Sequence, residues 1–221
     1  MSIVSKLRQF LFPEPEGGIT KGAVIGRATC WAGLLWYFQS FFTVRLLDFM
    51  EETPGFVHMV NLVFHEAGHW IFGVFGWKLL TAFGGALMQC LVPLALMGAF
   101  LIRNRDVFAA GIFLVWFGQN LTDCAPYIND ARLLQLQLIT GGTGREVEGH
   151  DWEFILNELD LIQYDGHIAR WVLLIGRIVM ALGFVWAALA LWFQFRQARG
   201  GGSPGGWSDE DDRKLTSYLG R

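Results

Sequence analysis

Residues 60–76 read Val-Asn-Leu-Val-Phe-His-Glu-Ala-Gly-His-Trp-Ile-Phe-Gly-Val-Phe-Gly. The stretch is strongly apolar, yet it carries His65, Glu66 and His69. Ionisable groups are costly at membrane depth and need partners there. On a helix, His65 and His69 are four residues apart, so both imidazoles project from one face and can share a metal ion. Glu66 lies beside that face, placed to take a proton from a metal-bound water. A single histidine on an apolar face is most often a satisfied core residue. Two at helical spacing, with Glu directly after the first, point to a metal site.

The flanks agree with a membrane setting. Of 221 residues, 53% are hydrophobic and 17% charged, an apolar excess over ordinary soluble domains. Ten Trp and nineteen Phe add to this, because aromatic side chains gather at bilayer interfaces. A formal net charge of −3 gives no electrostatic case for nucleic acid. Cys30, Cys90 and Cys124 are scattered without metal-type spacing and read as small apolar residues. The first apolar stretch starts too late for a removable signal peptide, so none is expected.

The chain divides into five parts. Residues 1–27 form an N-terminal interfacial segment, with a basic amphipathic helix over 1–12 lying on the membrane surface. Residues 28–131 form the membrane core, with spans near 28–47, 56–75 and 107–127. Residues 77–102 are apolar enough to cross, but Gly84-Gly85, Gln89 and Pro93 interrupt them, and the preferred reading is re-entrant. Residues 132–167 form an extramembrane loop with a short amphipathic helix starting at Trp152 and capped by Asp151. A final span covers 168–195, and the Gly/Ser-rich, charged residues 196–221 form a disordered tail. The fold class is therefore an all-α integral membrane protein, a bundle of about four to six transmembrane helices with one segment that can be re-entrant. Lys6, Arg8 and Lys21 argue for a cytoplasmic N-terminus, and Arg103, Arg105, Arg196 and Arg199 mark the other cytoplasmic segments. These placements require an even number of crossings.

A catalytic zinc takes three protein ligands and keeps one open position. His65 and His69 supply two, and Asp123, Asp130, His150 and Asp151 are the candidates for the third. Ligand type alone does not choose between carboxylate and imidazole. His150 lies on a glycine-rich loop that can fold back over the site; its plain alternative is an exposed residue at a helix start, with Asp151 as cap. Gln89, Asn61 and Arg177 are further polar residues in apolar surroundings, placed for second contacts or structural pairs.

At these residues the chain resembles the site-2 protease family of intramembrane zinc metalloproteases. The first motif of that family, a His-Glu-x-x-His on a membrane helix, matches His65 to His69. Its second, an Asn, a Pro and then an Asp before a small residue, is echoed by Asn120, Pro126 and Asp130-Ala131. The family's Asp is normally followed by Gly, and its Asn-to-Pro spacing is shorter. The resemblance implies Asp130 as the third zinc ligand, Glu66 as general base, and a role for Asn120 in positioning substrate or the metal site. It implies peptide hydrolysis in or near transmembrane segments of membrane-protein substrates, with the lipid bilayer as surroundings. The compact size is similar to bacterial members, which implies a bacterial inner membrane. Oligomeric state is open. A membrane metalloprotease of the CAAX-processing type would instead take its third ligand from Glu146, Glu148, Glu153 or Glu158. A non-catalytic scaffold on a protease-like fold is the remaining alternative, and the presence of Glu66 counts against it.

Overall fold

The structure, a computed structural model, describes residues 19–53, 55–139 and 141–199. Helix α1 spans Lys21–Thr43 and is followed by a 3-10 turn, Leu46–Asp48, and a short helix α2, Phe49–Glu52. Then come α3 (Gly55–Gly73), α4 (Lys78–Ile102), α5 (Val107–Asn129), α6 (Asp151–Glu158), a 3-10 turn (Ile162–Tyr164) and α7 (Asp165–Arg199). Among the described residues there is no strand; the loop before α6 carries one isolated bridge between Gln137 and Thr143. Among the described residues, three helices are long and apolar enough to cross a membrane: Lys78–Ile102, Val107–Asn129 and Ile162–Arg199. Large apolar side chains such as Leu91, Ile178, Leu182 and Val185 face outward from them. The surface helix expected over residues 1–12 and the tail beyond residue 199 lie outside the described residues. Residues 196–199, expected in the tail, continue α7.

The segment 77–102 is not re-entrant. It forms one continuous helix of 25 residues with Pro93 inside it. Gly84 and Gly85, which looked like a turn, are a packing surface. A Cβ on Gly68 of α3 would lie 2.1 Å from the Gly84 carbonyl oxygen, so the two backbones meet with no room for a side chain. The chain reverses between α3 and α4 at Gly76, whose φ of +68° suits glycine. Small residues also bring α5 against α7, where a Cβ on Gly176 would lie 2.7 Å from the carbonyl oxygen of Gly118.

The contacts fix which helix ends lie together. Arg27, near the start of α1, pairs with Asp106 at 2.7 Å, so α1 begins beside the turn that joins α4 to α5. The Asp106 side chain also caps α5, accepting the Ala109 N–H. From there α1 runs antiparallel to α7. The Trp31 indole donates to the Phe184 carbonyl, and Arg177 donates to the carbonyls of Phe41 and Val44. Arg177 thus satisfies its guanidinium on the open end of a helix rather than on a carboxylate. Leu46, just after α1, packs in the cluster that holds Ile128 and Ile168, at the far end of α5 and the start of α7. At that end Arg132 grips Asp165 through two hydrogen bonds of 2.8 and 2.6 Å, tying the end of α5 to the start of α7.

Helix α3 behaves differently. It starts beside the far end of α1, where the Val57 N–H donates to the Tyr37 hydroxyl. Its His58 reaches Asp123 of α5, while His65, two turns on, meets Gln89, which in turn donates to Cys124. Between these points Asn61 and Phe64 reach Trp116, closer to the start of α5. A helix of 25 residues is about 38 Å long, so α4, which ends beside residues 103–106, begins at the opposite end of the bundle. Helix α3 ends there too, with Gly73 next to Thr81 of α4.

This arrangement makes a definite prediction. With Cys30 replaced by Ser, cysteines placed at positions 27 and 106 will be joined by a short bismaleimide in intact membranes. A pair at positions 27 and 78, separated by the length of α4, will not. The reverse pattern would mean that α1 runs the other way.

Candidate metal centre

Helix α3 presents His65 and His69 from one face, and Asp151, the first residue of α6, comes down on them from the loop side. The Asp151 Oδ2 lies 3.0 Å from His65 Nε2 and 3.2 Å from His69 Nε2. The three donor atoms lie within 4.8 Å of one another. All three side chains are between one-sixth and about one-quarter exposed, so the site is sheltered but open to solvent.

Each imidazole has its other nitrogen committed. The Nδ1 of His69 lies 2.9 Å from the Thr81 carbonyl oxygen, which can only accept, so this nitrogen carries the proton. The Nδ1 of His65 lies 3.0 Å from Gln89 Oε1. Gln89 is oriented by its own amide, which donates to Cys124 Sγ at 2.9 Å, so its oxygen is left for His65. In the neutral rings this places a lone pair on each Nε2. Two lone pairs facing one carboxylate oxygen repel unless a cation or protons lie between them. Two imidazole nitrogens and a carboxylate oxygen, with Nδ1–H groups held by outer partners, are the kind of donor set that a zinc ion takes. The residues present fit that metal. Burial pushes the Asp151 carboxyl up, the two histidine hydrogen bonds pull it down, and the net value lies below the ordinary one.

Helix packing sets the position of the first histidine. A Cβ on Gly85 would lie 2.6 Å from His65 Nε2, so the absent side chain is the seat of the ring. Glu66 stands between two cavities. The inner one, of about 100 Å³, reaches from His65, Glu66 and Asp151 down to His58, Asp123 and Tyr127. The outer one, of about 640 Å³ and open to solvent, is bordered by Glu66, His69, Glu148 and Asp151. Leu138, Ile139 and Gly149 of the long loop line both.

The floor of the inner cavity is a polar layer. His58 Nδ1 meets Asp123 at 3.0 Å and its ring stacks on Tyr127. Asn61 donates to Asp123 and Gln119 and accepts from the Trp116 indole. Asn61 thus serves this layer and not the histidine one turn later.

Sequence reasoning named His65, Glu66 and His69, and the structure brings these together. Asp130 and His150 do not join the His65–His69 pair. Asp130 is consumed by its own loop, accepting the N–H groups of Gln135 and Leu136 at 2.9 and 2.8 Å. His150, and not Asp151, caps α6: its Nδ1 accepts the Glu153 N–H at 3.1 Å. Asp151 is thereby released to face the histidines. Asn120 donates to the Trp116 carbonyl within its own helix. Glu146 is bound to Thr143. His58 was overlooked, although it stands seven residues before His65 and so on the same helical face. The Thr81 carbonyl left no trace in the sequence, because any residue supplies one.

Gly85→Ala puts a methyl group where the His65 ring sits. Zinc affinity, read by competition with a chromophoric chelator, will fall about 10-fold or more, as for loss of an outer contact to a ligand. Gly98→Ala, where nothing lies within 4 Å, will bind as wild type. Equal affinity in both would mean that the ring is not seated by Gly85. No family model, curated protein or solved structure matches the chain, so the site stands on its own geometry.

Proposed function

We propose that the protein is a membrane-embedded zinc metalloprotease similar in plan to the site-2 proteases, with His65, His69 and Asp151 as ligands and Glu66 as general base. The observation that carries this is the meeting of two imidazole Nε2 atoms on one Asp151 oxygen, both rings turned by Nδ1 contacts. The third ligand differs from the resemblance, which implied Asp130 at the end of α5.

When bound, zinc supplies Lewis acidity, acidifying water and polarising a peptide carbonyl. Glu66 takes the proton of the attacking water and returns it to the leaving amine. The open outer cavity beside Glu66 admits a peptide in extended form, with Leu138 and Ile139 as an apolar wall. The inner cavity, with His58 and Asp123 at its floor, holds water or one short side chain. A helical substrate hides its carbonyls, so the segment cleaved must be unwound or lie just outside a span.

In the same reading α1, α4, α5 and α7 cross the bilayer and α3 does not. Four crossings put the start of α1, Arg103, Arg105 and the end of α7 on the cytoplasmic side, as their charge favours. Contact of Arg27 with Asp106 supports this. The metal centre then opens on the opposite side of what we take to be a bacterial inner membrane, and its substrates are membrane proteins with chain exposed there.

Detergent-purified protein will carry about one zinc per chain. Asp151→Ala will lose it. Glu66→Gln will keep it and cleave a membrane-protein substrate about 10²–10⁴ times more slowly. Wild type without zinc after gentle purification, or cleavage by Glu66→Gln at the wild-type rate, would defeat the proposal.

A further inference from the structure

We infer that Asp130 and His150 are positioning residues that together hold Asp151 against the two histidines. The inference rests on the reading of Asp151 as a metal ligand. Asp130 and His150 are both buried, 5% and 3% exposed. His150 Nδ1 is an acceptor, since it receives the Glu153 N–H, so in the neutral ring the proton is on Nε2. That Nε2 is buried, with no hydrogen-bond partner among the described residues. It faces Asp130 Oδ2 at 3.6 Å, longer than a hydrogen bond and within reach of an ionic contact. The same carboxylate receives the N–H groups of Gln135 and Leu136.

The ring of His150 therefore bridges two structures. One nitrogen is fixed to the first turn of α6, and the other points at the carboxylate that folds the loop leaving α5. Asp151 is the next residue, and its direction follows from the direction of His150. Gly149, with φ +117°, supplies the backbone turn that sends His150 inward and Asp151 toward α3. Asp151 follows a loop of about twenty residues, and this strut fixes the first turn of α6 from the loop side, as the packed Leu156 fixes the helix from the core side. The two residues that the sequence offered as ligands are, on this geometry, the support of the ligand.

Capping and support can be separated. His150→Asn keeps a good helix cap but is too short to reach Asp130. The full-length protein in detergent is measured for zinc affinity and, after exchange to cobalt(II), for visible absorption, which reports coordination geometry. In His150→Asn and Asp130→Asn, zinc binding will weaken 10- to 100-fold, the loss typical of outer-contact removal. Their cobalt spectra will depart from that of wild type, because the Asp151 carboxylate is no longer held in place. Arg132→Gln loosens the same loop end without touching His150 and serves as the control; its spectrum will stay that of wild type. Wild-type affinity and spectrum in His150→Asn would overturn the inference, leaving His150 as a cap alone. An equal loss in Arg132→Gln would overturn it too, since loop stability would then explain the effect. Wild type that binds no zinc would remove the metal centre itself and the positioning role with it, a result distinct from either of these.

Discussion

The rest of the site depends on one commitment: the Nδ1 of each histidine is engaged before any ligand arrives. The His69 Nδ1–H donates to the Thr81 carbonyl oxygen and the His65 Nδ1–H donates to Gln89 Oε1. A free imidazole rotates and exchanges its proton between two nitrogens. A ring with Nδ1 fixed has one lone pair in one direction. Both contacts come from α4, so the geometry of the centre is the geometry of the α3–α4 contact. That contact is close because Gly68 and Gly84 let two backbones touch, and because Gly85 leaves the His65 ring a place to lie. In lipid, where no hydrophobic drive pulls helices together, such small-residue contacts supply the association. The packing and the chemistry are thus one feature.

The position of α3 follows from the same contact and explains why a polar motif is tolerated there. A helix with two histidines and a glutamate in mid-membrane would have to hide them on all sides. Helix α3 turns these groups toward the long loop and the outer cavity. Its outward side stays apolar, with Phe56, Val63, Trp70 and Val74 exposed. The inner polar layer is held together by its own contacts. His58 and Asn61 meet the Asp123 carboxylate, and Asn61 is in turn bonded to Gln119 and Trp116.

Most of the helices could be read in the sequence because their cause is local. A run of apolar residues of the right length, with breaks at 44–54, 74–77 and 103–106, places the ends of α3, α4 and α5 within about two residues, while α1 begins seven residues before the expected 28. The direction of α3 could not be read. How a helix of these nineteen residues packs is decided by side chains on α4 and α5, which its own sequence does not show. Gly84-Gly85 carried a real signal that admitted two meanings, a turn or a close approach, and only the partner helix decides between them. At the site, the His65–Glu66–His69 spacing was legible because the helix itself enforces it. The carboxylate that meets the two histidines was not, because it arrives from 82 residues beyond His69 through a loop whose path no local pattern sets.

The competition among the acidic candidates was settled by demand for acceptors. The end of a helix leaves backbone groups without partners, and the loop that follows brings N–H groups that need an oxygen. Asp130 stands where α5 stops, and the amides of Gln135 and Leu136 claim both of its oxygens. Asp165 stands where α7 starts and is claimed by Arg132 and by the Gly166 N–H. Asp106 is claimed by Ala109 and Arg27. Asp151 also stands at a helix start, where a carboxylate is ordinarily drawn to the free N–H groups of the first turn. It is spared because His150, one residue earlier, caps that turn with a ring nitrogen. An imidazole in the capping place leaves the carboxylate beside it free to face α3, and the sequence His150-Asp151 gains its meaning from that exchange of roles.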